Sequence, residues 1–311
     1  MRKQTILIIG SQGQLGCALV EKSLNSNRGD QYKIIPYSRK DLDITDQDAV
    51  RDTVRSIKPD WVINAAAYTA VDLAESHQEQ SYLVNTAAPG FLAMYLAEYG
   101  GKMLHISTDF VFAGDQAMAQ QPQASTQPLS IYGQTKLAGE NAVLAHLGNH
   151  GHAHILRTSW LYSTSGKNFL LTMLRLHQQC VEKSLPLRVV CDQLGCPTSA
   201  PSLAKACWAV LERSLLNPLS DVLHWSDAGV ASWYDFAVAI GDLACENKLI
   251  NAPAVVEPIA TSQYPTPARR PAMSLLDCQS TREELALNPR HWRHELQAII
   301  VKNRLLLKSY S

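Results

Sequence analysis

Tyr132 and Lys136 stand four positions apart in a stretch whose pattern predicts a helix over 132–147. Four positions are about one helical turn, so the two side chains would project from the same face of the helix. A lysine charge beside a tyrosine favours the phenolate and lowers the phenol pKa from its usual value of about 10. Such a phenol can exchange a proton with an alcohol or a carbonyl near neutral pH. The pair predicts acid–base catalysis, and Ser107 and Thr108 lie upstream as hydroxyl partners.

The dinucleotide-binding pattern begins at the N-terminus. Residues 5–9 form a short apolar run typical of a buried parallel strand, and Gly10, Gly13 and Gly16 follow at once, before a helical pattern that starts at Ala18. Strand, glycine turn and helix are the context in which a backbone can approach a pyrophosphate at a helix N-terminus. The spacing is G-x-x-G-x-x-G, and the alternative is an ordinary strand-to-helix turn. We predict that these glycines bind a dinucleotide cofactor.

Composition narrows the class of protein. The chain has 311 residues, enough for two lobes, with 18% charged and 46% hydrophobic residues, and 28 basic residues balance 28 acidic ones. This balance gives no support to a nucleic-acid or membrane partner. We expect no membrane span and no signal peptide, because no apolar run is long enough. The seven cysteines form no C-x-x-C pair, which predicts reduced thiols in a cytoplasmic protein without a cysteine metal site.

Strand and helix patterns alternate through the first half of the chain, which predicts an α/β fold with a doubly wound parallel Rossmann sheet. Strands are predicted at 33–37, 61–64, 102–107 and 154–157, and helices at 46–57 (capped by Thr45), 79–99 (broken near Pro89) and 132–147. Residues 113–130 read as a surface loop. We assign 1–160 to an NADP-binding domain, with later segments returning to it, and 161–311 mainly to a smaller substrate-binding lobe. The amphipathic segment 291–307 is expected to pack in the core.

In such a sheet, ligands bind beyond the carboxyl ends of the strands, where the motifs found so far fall. At the end of the second strand, Ser38 and Arg39 stand where an NAD enzyme usually has an acidic residue; Asp30 precedes the strand and is discounted. A hydroxyl and a guanidinium suit a 2′-phosphate. NADPH is therefore favoured, and NADH stays open.

Several longer strings carry a family resemblance in addition to the glycine turn and the Tyr132–Lys136 pair. They lie at 41–46, 64–72, 107–112, 132–140, 157–160 and 264–271. Together they resemble the dTDP-4-dehydrorhamnose reductase family of the extended short-chain dehydrogenases/reductases, over nearly the whole chain. The resemblance implies that NAD(P)H reduces the C4 ketone of dTDP-4-dehydro-L-rhamnose to dTDP-L-rhamnose, the last step of dTDP-rhamnose biosynthesis. In bacteria this product commonly enters surface polysaccharide such as the O-antigen of lipopolysaccharide.

The resemblance also implies catalytic roles. Hydride addition places negative charge on the carbonyl oxygen, so a proton donor is needed there. Tyr132 is predicted to be that donor, Lys136 to lower its pKa and to bind the nicotinamide ribose, and Thr108 to hydrogen-bond the substrate oxygen. Ser107 competes with Thr108 for this role.

Binding roles follow from the same resemblance. Besides the glycines, Ser38, Arg39, Tyr132 and Lys136, the cofactor contacts would be Gln14, Leu15, Asp43, Ile44, Ala65, Ala66 and Ala67. The substrate contacts would be Thr108, Asp109, Trp160, Arg269 and Arg270. Trp160 would pack on the sugar ring and the arginines would lie near the diphosphate.

Departures from the family pattern leave other points open. Some family members are dimers bridged by a metal on Glu side chains, but Ala18 and Pro201 stand at two of the expected positions, so we predict no metal site and leave monomer or homodimer open. His77, His105 and His224 are expected to be structural or exposed. Two alternative functions remain: a reductase of another 4-keto-6-deoxy nucleotide sugar, or a regulatory subunit of the methionine adenosyltransferase type that binds a dinucleotide without turnover.

Overall fold

The structure is a computed structural model that describes residues 2–24, 31–148 and 151–309, with side chains described as far as residue 305. Asp30 therefore lies outside the described residues. The strands are β1 (Gln4–Ile9), β2 (Tyr32–Tyr37), β3 (Trp61–Asn64), β4 (Lys102–Thr108), β5 (Ala153–Thr158), β6 (Leu161–Tyr162), β7 (Leu187–Val190), β8 (Leu194–Gly195), β9 (Thr198–Ser199), β10 (Val222–His224), β11 (Ala231–Ser232) and β12 (Val256–Ile259).

Helices alternate with these strands. They are α1 (Gln14–Leu24), α2 (Gln47–Ile57), α3 (Val71–Ala74), α4 (Gln78–Tyr82), α5 (Ala88–Ala97), α6 (Ile131–Leu147), α7 (Phe169–Glu182), α8 (Ala200–Arg213), α9 (Trp233–Glu246), α10 (Gln279–Leu285) and α11 (Trp292–Ser309). A π-helical turn (Leu83–Ala87) joins α4 to α5, and 3-10 turns occupy Asp109–Val111 and Thr261–Gln263. Among the described residues, no helix is long and apolar enough to cross a membrane.

The central sheet has six parallel strands in the order β10-β5-β4-β3-β1-β2, which confirms the predicted α/β fold with a parallel Rossmann-type sheet. The inner strands are largely buried on both faces, as their apolar sequences predict, whereas the edge strand β2 exposes Lys33 and Pro36. The chain reverses its direction of winding between β1 and β3, and the carboxyl ends of the strands face one crevice there. Helix α8 packs against this first part of the chain, where the Trp208 ring lies 5.9 Å from the Tyr32 ring.

Three local predictions need correction. Asp46, not Thr45, caps α2, because its carboxylate accepts a hydrogen bond from the Ala49 amide. The interruption expected near Pro89 is not an end of the helical region but the π-helical turn Leu83–Ala87, and the proline follows it in the first turn of α5. The loop 113–130 is not wholly on the surface: Gln120 is buried, and its amide donates to the carbonyl of Leu275 at 2.8 Å.

The remaining strands and helices form a second cluster with its own apolar core. Phe236 on α9 lies at the centre of this cluster, where its ring contacts those of Tyr162 and Trp292. Leu296, Ile299 and Ile300 of α11 are buried in the same core, which confirms core packing for this amphipathic helix. Trp160 and Trp233 pack against this core and line the crevice, so the second cluster forms the wall opposite the strand ends.

Candidate active site

A cavity of about 1050 Å³ runs along the carboxyl ends of the strands. One wall consists of the glycine turn, the ends of β2, β3 and β4, and the first turns of α6. The opposite wall consists of residues 158–161 and 165–167 with Trp233 and Arg270. The strand ends therefore converge on one cavity, as the sequence predicted.

In the glycine turn, the backbone at Gly10 and Gly16 lies very close to neighbouring backbone segments. Gly10 has φ +79°, and a Cβ there would lie 2.8 Å from the amide nitrogen of Ala66. A Cβ on Gly16 would lie 2.1 Å from the carbonyl oxygen of Gly10, and the Gly13 amide donates to that same oxygen at 2.9 Å. Only glycine fits positions 10 and 16, and the N-terminus of α1 faces the cavity. This cradle fits a dinucleotide pyrophosphate.

Gln14 and Leu15 follow the turn and line the same cavity. Leu15 is buried. The side-chain oxygen of Gln14 accepts hydrogen bonds from Ser163 Oγ at 3.0 Å and Asn168 Nδ2 at 2.9 Å. Gln14 thus links the glycine turn to the opposite wall, a contact that no sequence motif predicts.

Ser38 and Arg39 lie at the end of β2 and have different surroundings. The Ser38 hydroxyl donates to Asp41 at 2.7 Å, which engages it within the turn. The Arg39 side chain is 79% exposed at the cavity rim, with its guanidinium 3.7 Å from Asp43. Arg39 is therefore the cation that is open to a ligand at this end. Hydrogen bonds from Thr45 hold the pKa of Asp43 below its usual range.

Ile44, Ala65, Ala66 and Ala67 complete the nucleotide end of the cavity lining. Ile44 is buried and apolar, which suits an aromatic base. The alanines follow β3 and add little side-chain volume, so the backbone itself borders the cavity.

Tyr132 lies in the first turn of α6, whose N-cap is Ser130, and its ring meets Phe110 edge to face at 5.6 Å. Burial raises the pKa of Tyr132 to about 12, and a hydrogen bond with Thr108 opposes this shift. The predicted lowering of the phenol pKa is therefore wrong for this structure, because desolvation outweighs the other contributions. The phenol is protonated at neutral pH, and the Thr108 hydroxyl lies beside it.

Lys136 is buried one turn further along α6. Its Nζ donates a hydrogen bond to the carbonyl of Ile106 at 2.7 Å and lies 3.3 Å from His105 Nε2. Burial lowers the pKa of Lys136 to about 8, and the Glu140 carboxylate opposes this shift. The lysine is thus held towards β4.

Ser107 and Thr108 alternate along β4, and their hydroxyls have different partners. Ser107 donates to Glu140, which also forms a two-pronged ion pair with Arg157, 2.6 Å at its shortest. All three groups are buried. Ser107 is therefore engaged below the site, and Thr108 is the hydroxyl beside Tyr132.

Asp109 follows directly and is also buried. Its Oδ1 accepts from the Thr108 hydroxyl at 3.0 Å, whereas its Oδ2 has no hydrogen-bond partner within the described parts of the chain. Burial raises the pKa of Asp109 to about 6. A buried acceptor at the cavity wall suits a ligand hydroxyl.

The opposite wall is aromatic. Trp160 has φ +46° and stacks on Trp233 with ring centroids 3.5 Å apart and planes 4° apart. Phe169 lies against Trp233 at 4.6 Å. The wall offers a flat apolar surface of the kind that packs on a sugar ring.

The two adjacent arginines differ in position. Arg270 lines the cavity and forms a two-pronged ion pair with Asp72, at 2.8 and 3.0 Å. Arg269 is exposed and is not among the described residues that line the cavity. The structure thus brings Arg270 to the site with the other predicted residues but leaves Arg269 outside it.

Sequence reasoning missed several residues that line the cavity. Among them are Trp233 and Lys167 on the second wall, where no sequence motif marks them. His105, expected to be satisfied or exposed, is buried with contacts to Asn64 and Lys136.

Comparison with known proteins agrees with this geometry. The family model described as the RmlD substrate binding domain matches residues 4–305. A dTDP-4-dehydrorhamnose reductase of Escherichia coli strain K12 is 37% identical over 290 residues, covering 93% of this chain and 94% of the relative. One from Burkholderia thailandensis is 38% identical over 296 residues, covering 93% and 95%. The chain resembles the crystal structure of dTDP-4-dehydrorhamnose reductase from Bacillus anthracis in complex with NADP, with TM-score 0.86, 33% identity, and 97% and 100% coverage.

Proposed function

The chain belongs to the dTDP-4-dehydrorhamnose reductase family, and we propose that it reduces the C4 ketone of dTDP-4-dehydro-L-rhamnose with NADPH to give dTDP-L-rhamnose. The observation that carries this proposal is the meeting of Tyr132, Thr108 and Lys136 with the glycine turn in one cavity. Family membership supplies the substrate, and the site supplies groups suited to carbonyl reduction.

NADPH supplies the hydride when it is bound. Gly10, Gly13 and Gly16 would hold its pyrophosphate at the N-terminus of α1, and Arg39 would pair with its 2′-phosphate. The cradle fits this cofactor because side chains at positions 10 and 16 would fill the space that the backbone approach needs. The family member solved with NADP supports the choice of nucleotide.

The proton comes from Tyr132 in our proposal. Because burial keeps the phenol protonated at neutral pH, it can donate to an oxygen that gains negative charge. Thr108 would hydrogen-bond the same substrate oxygen and hold it against the phenol. Lys136 would contact the nicotinamide ribose and, when charged, stabilise the phenolate that remains.

Substrate contacts divide between the two walls. Asp109 offers its unpartnered buried Oδ2 to a sugar hydroxyl, and Trp160, backed by Trp233, would pack on the sugar ring. Arg270, oriented by Asp72, would lie near the diphosphate. Arg269 is exposed outside the cavity lining and is given no contact with the substrate.

We also propose a cytoplasmic location and a monomer or homodimer. All seven cysteines are free thiols, which is consistent with a reducing compartment. Size-exclusion chromatography with light scattering decides between the two assembly states.

The experiment that tests the function follows NADPH oxidation with dTDP-4-keto-6-deoxyglucose, with and without the matching 3,5-epimerase, which produces the L-lyxo sugar. We expect oxidation that requires the epimerase and yields dTDP-L-rhamnose. Oxidation without the epimerase would point to a reductase of another stereoisomer, and tight NADPH binding without oxidation would point to a binding subunit. A parallel series with NADH measures the cofactor preference.

A further inference from the structure

The amine of Lys136 has a neighbour for which the proposed reaction gives no role. His105 lies on β4 with a fully buried ring. Its Nε2 is 3.3 Å from Lys136 Nζ, and its Nδ1 is 3.1 Å from Nδ2 of Asn64 at the end of β3. The end of β3, the middle of β4 and helix α6 thus meet in one buried series of hydrogen-bonded side chains.

The backbone sets the direction of the hydrogen bonds among Asn64, His105 and Lys136. The Ala66 amide donates to Asn64 Oδ1 at 3.2 Å. Because the oxygen of the Asn64 amide is engaged there, its nitrogen faces His105 and donates to Nδ1. Burial holds the pKa of His105 well below its usual range, so the ring is neutral. A neutral ring that accepts at Nδ1 carries its proton on Nε2.

That proton points at Lys136. Lys136 Nζ already donates to the carbonyl of Ile106. The Nε2–H group of His105 needs an acceptor, and Nζ can accept a hydrogen bond only as a neutral amine with a free lone pair. The other ionisable groups around the lysine are Tyr132 and Glu140, one turn before and after it on α6, and Arg157 of β5, which is paired with Glu140.

Helix α6 packs closely against β4 beside the ring. A Cβ on Gly139 of α6 would lie 2.0 Å from the carbonyl oxygen of Asn85 and 3.7 Å from His105 Nε2. Glycine at this position lets α6 approach β4 closely, which keeps the ring and the lysine in contact.

We propose that His105 is a positioning residue: together with Asn64 it presents its Nε2 proton to Lys136 Nζ and so favours the neutral amine over the ammonium ion. His105 thereby sets the pH range in which the lysine changes charge. The catalytic meaning of this arrangement rests on the proposed reductase function, whereas the arrangement itself does not.

The first test measures the tautomer and needs no turnover. In ¹⁵N-labelled protein, two-bond nitrogen–proton couplings distinguish Nε2–H from Nδ1–H, and loss of the signal in His105→Gln assigns it. We expect Nε2–H in the wild type. In Asn64→Asp the carboxylate has only acceptors, so the His105 proton should move to Nδ1. A wild-type ring with Nδ1–H or a positive charge, or an unchanged tautomer in Asn64→Asp, would overturn the proposal.

The second test is the pH profile of kcat for NADPH oxidation. In His105→Gln the amide oxygen can accept a hydrogen bond from the ammonium ion, so the alkaline limb should move to higher pH by about one unit. Asn64→Asp should move it in the same direction, which keeps the test decisive where His105→Gln fails to fold.

The matched control for this profile is His154→Gln. His154 is equally buried on the neighbouring β5, but its Nδ1 lies 3.0 Å from the carbonyl of Ser220, away from the cavity. The alkaline limb of the His154→Gln profile should stay at the wild-type pH. The role of His105 would be contradicted if the alkaline limb stayed in place in both His105→Gln and Asn64→Asp. An equal shift of that limb in His154→Gln would contradict it as well. A protein without reductase activity leaves the tautomer measurement fully informative, so the two proposals fail separately.

Discussion

Two buried carboxylates lie behind the two walls of the cavity, and they are held in different ways. Glu140, behind the catalytic wall, accepts from Ser107 and from the Arg157 guanidinium, so both of its oxygens are engaged. Asp227, within the second cluster, accepts at Oδ2 from the Ser199 amide at 2.9 Å, and its Oδ1 has no partner in the described ranges. Burial raises the pKa of Asp227 to about 7.

The two walls differ in the elements that build them. The catalytic wall is formed by strand ends and one helix, with the Glu140–Arg157 ion pair behind it. The substrate wall combines β6, residues 165–167 and Trp233 of α9. In the proposed function, the first wall transfers the proton and the second wall binds the sugar.

Replacement of Tyr132 by Phe should have the largest effect on activity. The variant loses the hydroxyl group that carries the transferable proton and keeps the ring packing against Phe110. We expect kcat to fall about 100- to 10,000-fold, with NADPH affinity nearly unchanged, as measured by steady-state kinetics and fluorescence titration. Activity within a few-fold of the wild type would remove Tyr132 from its proposed role.

Replacement of Glu140 by Gln tests the support of the catalytic wall. It leaves the Arg157 guanidinium buried without its counter-charge, so the free energy of unfolding should fall by about 3 to 5 kcal/mol in denaturant titrations. The double variant Glu140→Gln with Arg157→Met removes both charges and should recover much of the loss. Equal stabilities of the single and double variants would mean that the charge pair is not the support.

Replacement of Arg39 by Gln tests the nucleotide end of the cavity. A charge-assisted contact with the 2′-phosphate should be lost, which raises KM for NADPH about 10- to 100-fold and leaves KM for NADH almost unchanged. The matched control is Arg51→Gln, another surface arginine, which is not among the described lining residues. Equal losses with both nucleotides would place the 2′-phosphate elsewhere.

Asp227→Asn tests the support of the second cluster through pH. The folded-state pKa of Asp227 is raised, so its contribution to stability is present below the unfolded pKa and is lost as the pH rises through about 7. Asn cannot ionise, so the stability of the variant relative to the wild type should grow by roughly 2 kcal/mol between about pH 5 and about pH 8. The control variant is Asp242→Asn, which removes a half-exposed carboxylate that pairs with Arg293.

The sequence predicted the catalytic wall well because that wall consists of regular elements. The apolar runs of β1 and β3 and the glycine turn depend on neighbours in sequence, and parallel strands necessarily bring their carboxyl ends together. The pKa of Tyr132 was predicted with the wrong sign because burial depends on residues distant in sequence.

The substrate wall was less predictable for the same reason. Trp233 reaches Trp160 across 73 residues through a stacking contact that no periodic pattern encodes. Gln14 contacts Ser163 and Asn168 only because the second cluster folds back over the glycine turn. Such contacts follow from tertiary packing, which the sequence pattern of a loop does not specify.

The adjacent arginines give the smallest expected effect and the sharpest comparison within one wall. Arg269→Gln should change kcat/KM for the dTDP-sugar by less than about 2-fold, because an exposed guanidinium outside the cavity is solvated whether or not the substrate is bound. Arg270→Gln should raise KM about 10-fold or more, because it removes a charge beside the diphosphate and leaves Asp72 unpaired there. Steady-state kinetics of the two variants, purified in parallel, gives the ratio directly. Equal effects would show that residues 269 and 270 contact the substrate as a pair and that the substrate wall closes further over the nucleotide than its present contacts imply.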